Sequence, residues 1–281
     1  MADTSSFGVL HDLAVFASLV TALSLVAYRV MRQLRPEVSW NREGAVLASP
    51  YGAPDLLALA GLGLFYILVL MQPAETGAAG AAGAEGKVND ATLVAGMLFH
   101  LIVCAGVLMY LFQFRGMNPG ELFGLQNVHW RALAVTVVVF TVVILACVNL
   151  VAYFSNSWLQ SFWPHLEPQE TVKAFQQSSG YGIKLLVVLL AVVIAPLAEE
   201  TLFRGFVYGV LKRYTDAPFA ALASSLMFAI IHMHVGSLLP LWTLAVLLCC
   251  AYELTGCLLA PMILHAIFNG VSIVAMMFGE G

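Results

Sequence analysis

Charged residues are scarce in this sequence. Only 10% of its 281 residues are charged and 61% are hydrophobic, whereas an average soluble domain has about 25% charged residues. The mean hydropathy is +0.90, which excludes an ordinary soluble domain. Several apolar stretches approach or exceed the roughly 20 residues that a helix needs to cross a bilayer. The composition therefore predicts an all-α fold, a polytopic transmembrane helical bundle of about eight helices.

Paired cysteines and basic patches are also missing. The five cysteines lie within or at the edge of apolar stretches, without the spacing of a disulfide framework or a zinc knot. We interpret them as packing residues. The formal net charge is -4, and the absence of a basic patch excludes nucleic acid as a partner.

Eight apolar stretches are candidate membrane helices. The first lacks a convincing small-residue cleavage site and is interpreted as a retained span, not a signal peptide. Arginines cluster after the first and third stretches, which predicts an N-terminus outside and a fifth stretch that runs toward the cytoplasm. The eight stretches are Leu13–Met31, Asp55–Met71, Ala91–Phe114, Trp130–Phe154, Lys184–Tyr214, Pro218–Met233, Leu238–Tyr252 and Cys257–Phe278.

Three charges interrupt the fifth stretch, in the segment AEETLFRG. An ionised side chain at the centre of a membrane helix costs about 2.5–3.5 kcal/mol and usually faces the bundle interior. On a helix Glu200 and Arg204 share a face and are predicted to pair, while Glu199 is turned away by about 100°. One carboxylate can neutralise the arginine and the other is left free. A purely structural salt bridge at a helix end is the alternative.

Polar residues also interrupt two later apolar stretches. FAIIH places His232 in the sixth stretch, and HAIFN places His265 and Asn269 on one face of the last. A single intramembrane histidine is commonly a packing residue. Several such groups on separate helices each need a partner away from water, so we expect them to meet in one polar pocket.

The three motifs resemble those of a known family. EETLFR, FAIIH and HAIFN are similar, in this order, to the EExxxR, FxxxH and HxxxN motifs of the CPBP family, also called the Abi or type II CAAX prenyl endopeptidase family. The similarity extends over Leu186 to Met276. It implies that residues 1–180 form N-terminal transmembrane helices and loops, and that residues 181–281 form a CPBP/Abi-like catalytic transmembrane core. It also implies a glutamate-dependent intramembrane endopeptidase of a prokaryotic inner membrane, acting on peptides or lipidated proteins such as prenylated CAAX substrates.

The same residues suit peptide hydrolysis on chemical grounds. The reaction needs a base that deprotonates water and donors that stabilise the oxyanion. Glu199, assisted by His232, can supply the base, and His265 with Asn269 can donate to the oxyanion. Glu200 and Arg204 would support them. An exchange of roles between Glu199 and Glu200 stays open.

Other functions and chemistries stay open as well. His232, His265 and a glutamate would make a zinc ligand set, but the sequence has no HExxH motif, so we expect no cofactor and keep zinc as the alternative. A non-proteolytic scaffold or bacteriocin self-immunity protein is the alternative function, followed by a proton-coupled transporter. No role is predicted for Glu253, nor for the four histidines without a partner pattern. These are His11, His100, His129 and His165.

Overall fold

The computed structural model of this protein describes residues 33, 44–70, 90–126, 128–161 and 181–278. Within these ranges the regular structure is entirely helical, which confirms the all-α prediction. The helices are α1 (Ala53–Leu70), α2 (Asp90–Met109, continued by Tyr110–Phe114), α3 (Pro119–Leu122), α4 (Trp130–Gln160), α5 (Tyr181–Tyr214), α6 (Ala217–Ile230), α7 (Val235–Thr255) and α8 (Leu259–Phe278).

Five of the described helices, α2, α4, α5, α7 and α8, are long and apolar enough to cross a membrane. The chain is therefore an integral membrane protein, as its composition predicts. The predicted span Leu13–Met31 lies outside the described residues. The predicted span Pro218–Met233 corresponds to α6, which has 14 residues and buries half of them. Its length is typical of a helix packed inside a bundle.

Helix α7 lies at the centre and packs against α4, α6 and α8. Leu244, Ala245, Leu248 and Ala251 have no exposed surface, and the two alanines let neighbouring backbones approach closely. The outer faces of α2 and α4 carry exposed large apolar side chains. Such faces suit contact with lipid.

Helix α5 contains two widened segments with π-helical hydrogen bonding, Leu190–Ile194 and Thr201–Tyr208. Pro196 explains the first, because proline has no backbone N–H and its ring displaces the carbonyl four residues earlier. Widened turns of this kind are frequent at functional sites. The paired glutamates lie between the two segments.

The turn that joins α7 to α8 depends on two glycines. Gly256 ends α7 with a φ of 63°, in the left-handed region, and its N–H donates to the Tyr252 carbonyl at 2.7 Å. A Cβ on Gly124 would overlap the carbonyl oxygen of Gly256. The N–H of Leu258 donates to the Phe123 carbonyl at 2.9 Å. These contacts fix the start of α8, the helix that carries His265 and Asn269.

Glu253, which had no predicted role, lies at the end of α7 in a cluster of donors. It accepts hydrogen bonds from the Tyr208 hydroxyl, from Lys212 Nζ at 2.5 Å and from the Val46 N–H at 3.4 Å. Lys212 also donates to the Val46 carbonyl at 2.8 Å. Glu253 therefore ties the chain before α1 to α5 and α7.

Candidate active site

Helix α5 presents the charged residues of the first motif. Arg204 Nη1 lies 2.8 Å from Glu200 Oε1, and the two side chains are 1% and 0% exposed. Arg204 Nη2 also donates to the Ala245 carbonyl at 3.1 Å, and its guanidinium carbon lies 4.8 Å from the centre of the Phe228 ring. The ion pair expected from the spacing is therefore present, and it is fully buried.

His265 reaches both glutamates from α8. Its Nδ1 lies 2.8 Å from Glu200 Oε1, and its Nε2 lies 3.9 Å from Glu199 Oε2. The Glu200 carboxylate beside Arg204 is an acceptor, so Nδ1 carries the hydrogen of this bond. A neutral ring then presents a lone pair at Nε2. His265 can donate toward Glu199, or toward an oxyanion at that position, only as an imidazolium.

His100 on α2 is a member of this site that the sequence reasoning missed. Its Nε2 lies 3.3 Å from Glu199 Oε1, and its Nδ1 lies 2.8 Å from the Gly96 carbonyl oxygen. The sequence predicted neither a role nor a partner for His100, and the structure gives it Glu199 as a partner. A histidine inside an apolar membrane helix needs a polar partner, and this signal was present, but nothing in the sequence indicates which residue that partner is.

His232 and Asn269 have different hydrogen-bond partners. His232 Nδ1 lies 2.8 Å from the Phe228 carbonyl oxygen, and Asn269 Nδ2 donates to the Ala191 carbonyl at 2.7 Å. Among the described contacts, no hydrogen bond connects either residue to Glu199. The Phe228 ring links the two histidines by packing, with its centre 4.8 Å from the His232 ring and 5.8 Å from the His265 ring.

The two glutamates differ in accessibility and in their unused acceptor capacity. The Glu199 side chain is 15% exposed, so the bundle does not enclose it completely. Glu200 is fully buried, and its Oε2 has no hydrogen-bond partner within the described part of the chain. Glu199 is therefore better placed to contact a reactant, and Glu200 to orient its neighbours.

The described residues contain no group of three or more His, Cys, Asp or Glu side chains arranged to hold a metal ion. On His100, His232 and His265 alike, Nδ1 already has an acceptor. Nε2 is the ring nitrogen that remains for another contact, which on His100 is the contact with Glu199. Such rings suit proton transfer and metal ligation alike. The expectation that no cofactor is required stays a prediction, with zinc as the alternative.

The fold and the site define a polytopic helical membrane protein with a buried cluster of carboxylates and imidazoles inside its bundle. Residues 181–271 match the family model described as type II CAAX prenyl endopeptidase Rce1-like. Residues 181–271 are therefore similar to this family, and the resemblance predicted from the three motifs is confirmed. The match includes the residues of all three motifs and excludes His100.

The chain is also similar to a curated bacterial protein, "Putative membrane peptidase YdiL" of Bacillus subtilis (strain 168). The two are 29% identical over 84 residues, which are 30% of this chain and 34% of the relative. The chain thus spans about a third of the length of the curated relative that it matches. No solved structure gives a significant match. These comparisons support a protease kind of function for the matched helices.

Proposed function

We propose that this protein is an intramembrane glutamate-dependent endopeptidase that cuts membrane-associated peptides. The observation that carries the proposal is the environment of Glu199. Its partly exposed carboxylate lies between two imidazoles, His100 at 3.3 Å and His265 at 3.9 Å, beside a buried Glu200–Arg204 pair. Inside a membrane bundle, a carboxylate that is not paired with the adjacent arginine is suited to proton transfer.

In the proposed reaction Glu199 is the general base. It takes a proton from a water molecule as the water oxygen attacks the peptide carbonyl carbon. The resulting tetrahedral intermediate collapses by breaking the C–N bond, and the proton on Glu199 passes to the leaving amine. Protons and bonds balance, and the carboxylate is regenerated.

His265 would stabilise the oxyanion as an imidazolium. Its Nδ1–H donates to Glu200 at 2.8 Å, and a carboxylate in this position fixes the tautomer and stabilises the positive ring, as in the Ser-His-Asp triad. Glu200 in turn is neutralised by Arg204 at 2.8 Å. This gives the Glu200–Arg204 pair a supporting role and leaves the chemistry to Glu199.

Asn269 and His232 would complete the site. The Asn269 amide uses one N–H for the Ala191 carbonyl and has a second to offer an oxyanion. His232 has Nδ1 committed to the Phe228 carbonyl, which leaves Nε2 to assist Glu199 in accepting the proton from water. The oxyanion donors and the base would then come from α5, α8 and the turn that follows α6.

We propose a lipid-linked peptide as the substrate class, with prenylated CAAX proteins as the leading candidates. The support is the description of the matching family model as a type II CAAX prenyl endopeptidase and the exposed apolar faces of the bundle, along which a lipid chain can lie. The site would open toward the cytoplasmic side of a prokaryotic inner membrane. Reporter fusions at residues 85 and 215 test this orientation, and an external residue 215 would contradict it.

The second candidate is a non-proteolytic scaffold or self-immunity protein. It is favoured by the contacts of His232 and Asn269, whose described hydrogen bonds go to backbone carbonyls and not to the glutamates. In such a protein the polar cluster would serve folding or partner binding alone.

A cleavage assay separates the two candidates. The purified full-length protein is incubated with a prenylated CAAX peptide and with a panel of unprenylated membrane peptides, and the products are identified by mass spectrometry. We expect cleavage that is lost in Glu199→Ala and His232→Ala. Chelator treatment followed by zinc addition tests the metal alternative in the same assay. No cleavage of any peptide, or equal cleavage by the variants, would contradict the protease.

A further inference from the structure

His100 contacts Glu199 from a part of the chain that the family model does not match. It lies on α2, whereas the family match begins at residue 181. Its side chain is 24% exposed, and its Nε2 lies 3.3 Å from Glu199, the carboxylate proposed as the base. Helix α2 packs along α5 next to this carboxylate. The N-terminal helices therefore contribute a side chain to the site.

The hydrogen-bond pattern requires a proton in this contact. His100 Nδ1 lies 2.8 Å from the Gly96 carbonyl oxygen, which can only accept, so Nδ1 carries a hydrogen. In a neutral ring Nε2 is then an acceptor, and an ionised Glu199 is also an acceptor. Two acceptors at 3.3 Å repel each other. The contact is attractive only when a proton lies on Nε2 or on the carboxyl group.

We propose that His100 is a positioning residue, which orients the Glu199 carboxylate toward the reacting water through this shared proton. The role rests on the proposed function of Glu199 as the base. The proton resides on the imidazole while Glu199 is the ionised base, so the pair is an imidazolium and a carboxylate. Loss of the proton turns the contact repulsive and releases the carboxylate from its working position.

This role makes kcat depend on pH in a way that a packing histidine does not. At high pH the imidazolium of His100 loses its proton, and we expect kcat to fall. Other titratable or charged groups that face Glu199 contribute to the full profile, so the contribution of His100 must be read from variants. These groups are His265 on α8 and His232 just beyond α6, and the adjacent Glu200–Arg204 pair contacts His265.

The variants His100→Gln and His100→Leu isolate that contribution. The glutamine amide N–H takes the place of Nε2–H and donates to Glu199 at every pH, while leucine removes the contact. His129→Leu is the matched control, because His129 is exposed and lies outside the site. For each full-length variant, kcat and KM are measured across pH on a peptide that the wild type cuts.

We expect His100→Leu to lower kcat by about 10- to 100-fold with little change in KM, since misplacing a catalytic group costs about this much. We expect His100→Gln to keep most of the activity and to move the alkaline decline of kcat to higher pH. His129→Leu should behave as wild type. An unchanged kcat in His100→Leu, or a wild-type pH profile in His100→Gln, would overturn the proposal.

A double-mutant cycle separates failure of this proposal from failure of the proposed function. Thermal unfolding is compared for wild type, His100→Leu, Glu199→Gln and the double variant. Non-additive shifts would show that the two side chains interact. If the wild type cuts no peptide, the proposed protease function is contradicted. Non-additive shifts would then show that the contact between His100 and Glu199 stabilises the fold without serving catalysis. Additive shifts would overturn the contact itself.

Discussion

Among the described residues, two buried carboxylates, Asp55 and Glu200, each pair with an arginine. The two pairs differ in how many hydrogen bonds the carboxylate accepts. Asp55 Oδ1 accepts from Arg115 Nε at 2.8 Å and from the Tyr110 hydroxyl at 3.1 Å. Its Oδ2 accepts from Arg115 Nη2 at 3.0 Å and from the Gly52 N–H at 2.7 Å. Glu200 receives Arg204 and His265 on Oε1 only, and its Oε2 has no partner among the described residues.

This difference distinguishes a structural ion pair from one that serves a site. Both carboxylate oxygens of Asp55 accept two hydrogen bonds each. The bidentate contact with Arg115 joins α1 to the end of α2. The Glu200 pair instead orients His265 and stands beside a second carboxylate, Glu199, whose neighbours are imidazoles. We infer that the Asp55 pair contributes stability alone, whereas the Glu200 pair contributes stability and orientation together.

The largest expected effect on stability follows from breaking the Glu200 pair. Glu200→Leu would leave the guanidinium of Arg204 buried without its countercharge, and removing one partner of a buried pair costs about 3–5 kcal/mol. Denaturant unfolding in detergent measures the free energy of unfolding. The double variant with Arg204→Met should recover part of the loss. An unchanged free energy in Glu200→Leu would show that the pair does not stabilise the fold.

The variant Asn269→Ala tests whether Asn269 serves catalysis or only packing. Removal of an oxyanion donor lowers kcat by about 10²- to 10³-fold, whereas loss of the neutral hydrogen bond to the Ala191 carbonyl costs about 1 kcal/mol of stability. We therefore expect a large loss of kcat in a protein that still folds. Steady-state kinetics and thermal unfolding are measured on the same preparation. A loss of stability with unchanged kcat would place Asn269 with the packing residues.

Asp55→Asn should have a smaller effect, and on stability only. Hydrogen bonds to a charged group contribute about 1.5–3 kcal/mol each, but Arg115 is 23% exposed and water replaces part of the lost contact. We expect the free energy of unfolding to fall by about 1–2 kcal/mol and kcat per folded molecule to stay at the wild-type value. A fall in kcat would show that the Asp55–Arg115 pair also affects the active site, which contradicts a purely structural role.

The sequence predicted the fold class and the Glu200–Arg204 pair because these depend on composition and local spacing. Long apolar stretches indicate membrane helices directly, and the separation of four residues brought Arg204 to Glu200 as helical geometry requires. The contacts of His265 with both glutamates depend on how α8 crosses α5. The sequence predicted that these residues share a polar pocket, but not which of them are in contact.

The parts that sequence reasoning missed depend on tertiary packing. His100 and Glu199 are 99 residues apart, and no local pattern relates α2 to α5. The bond of Asn269 to Ala191 joins residues 78 apart and uses a backbone carbonyl, which every residue carries, so a motif cannot identify it. The widened turns on either side of the paired glutamates shift side chains from ideal helical positions.

The most direct test of the catalytic site is the kcat of Glu199→Gln per folded molecule, with Asp55→Asn as the reference variant. Glutamine keeps the size of the side chain but cannot act as a base. We expect kcat to fall by about 10²- to 10⁴-fold with thermal unfolding close to that of the wild type, while Asp55→Asn shows the reverse. Wild-type cleavage by Glu199→Gln, or a loss of activity that only follows a loss of folded protein, would contradict Glu199 as the catalytic carboxylate.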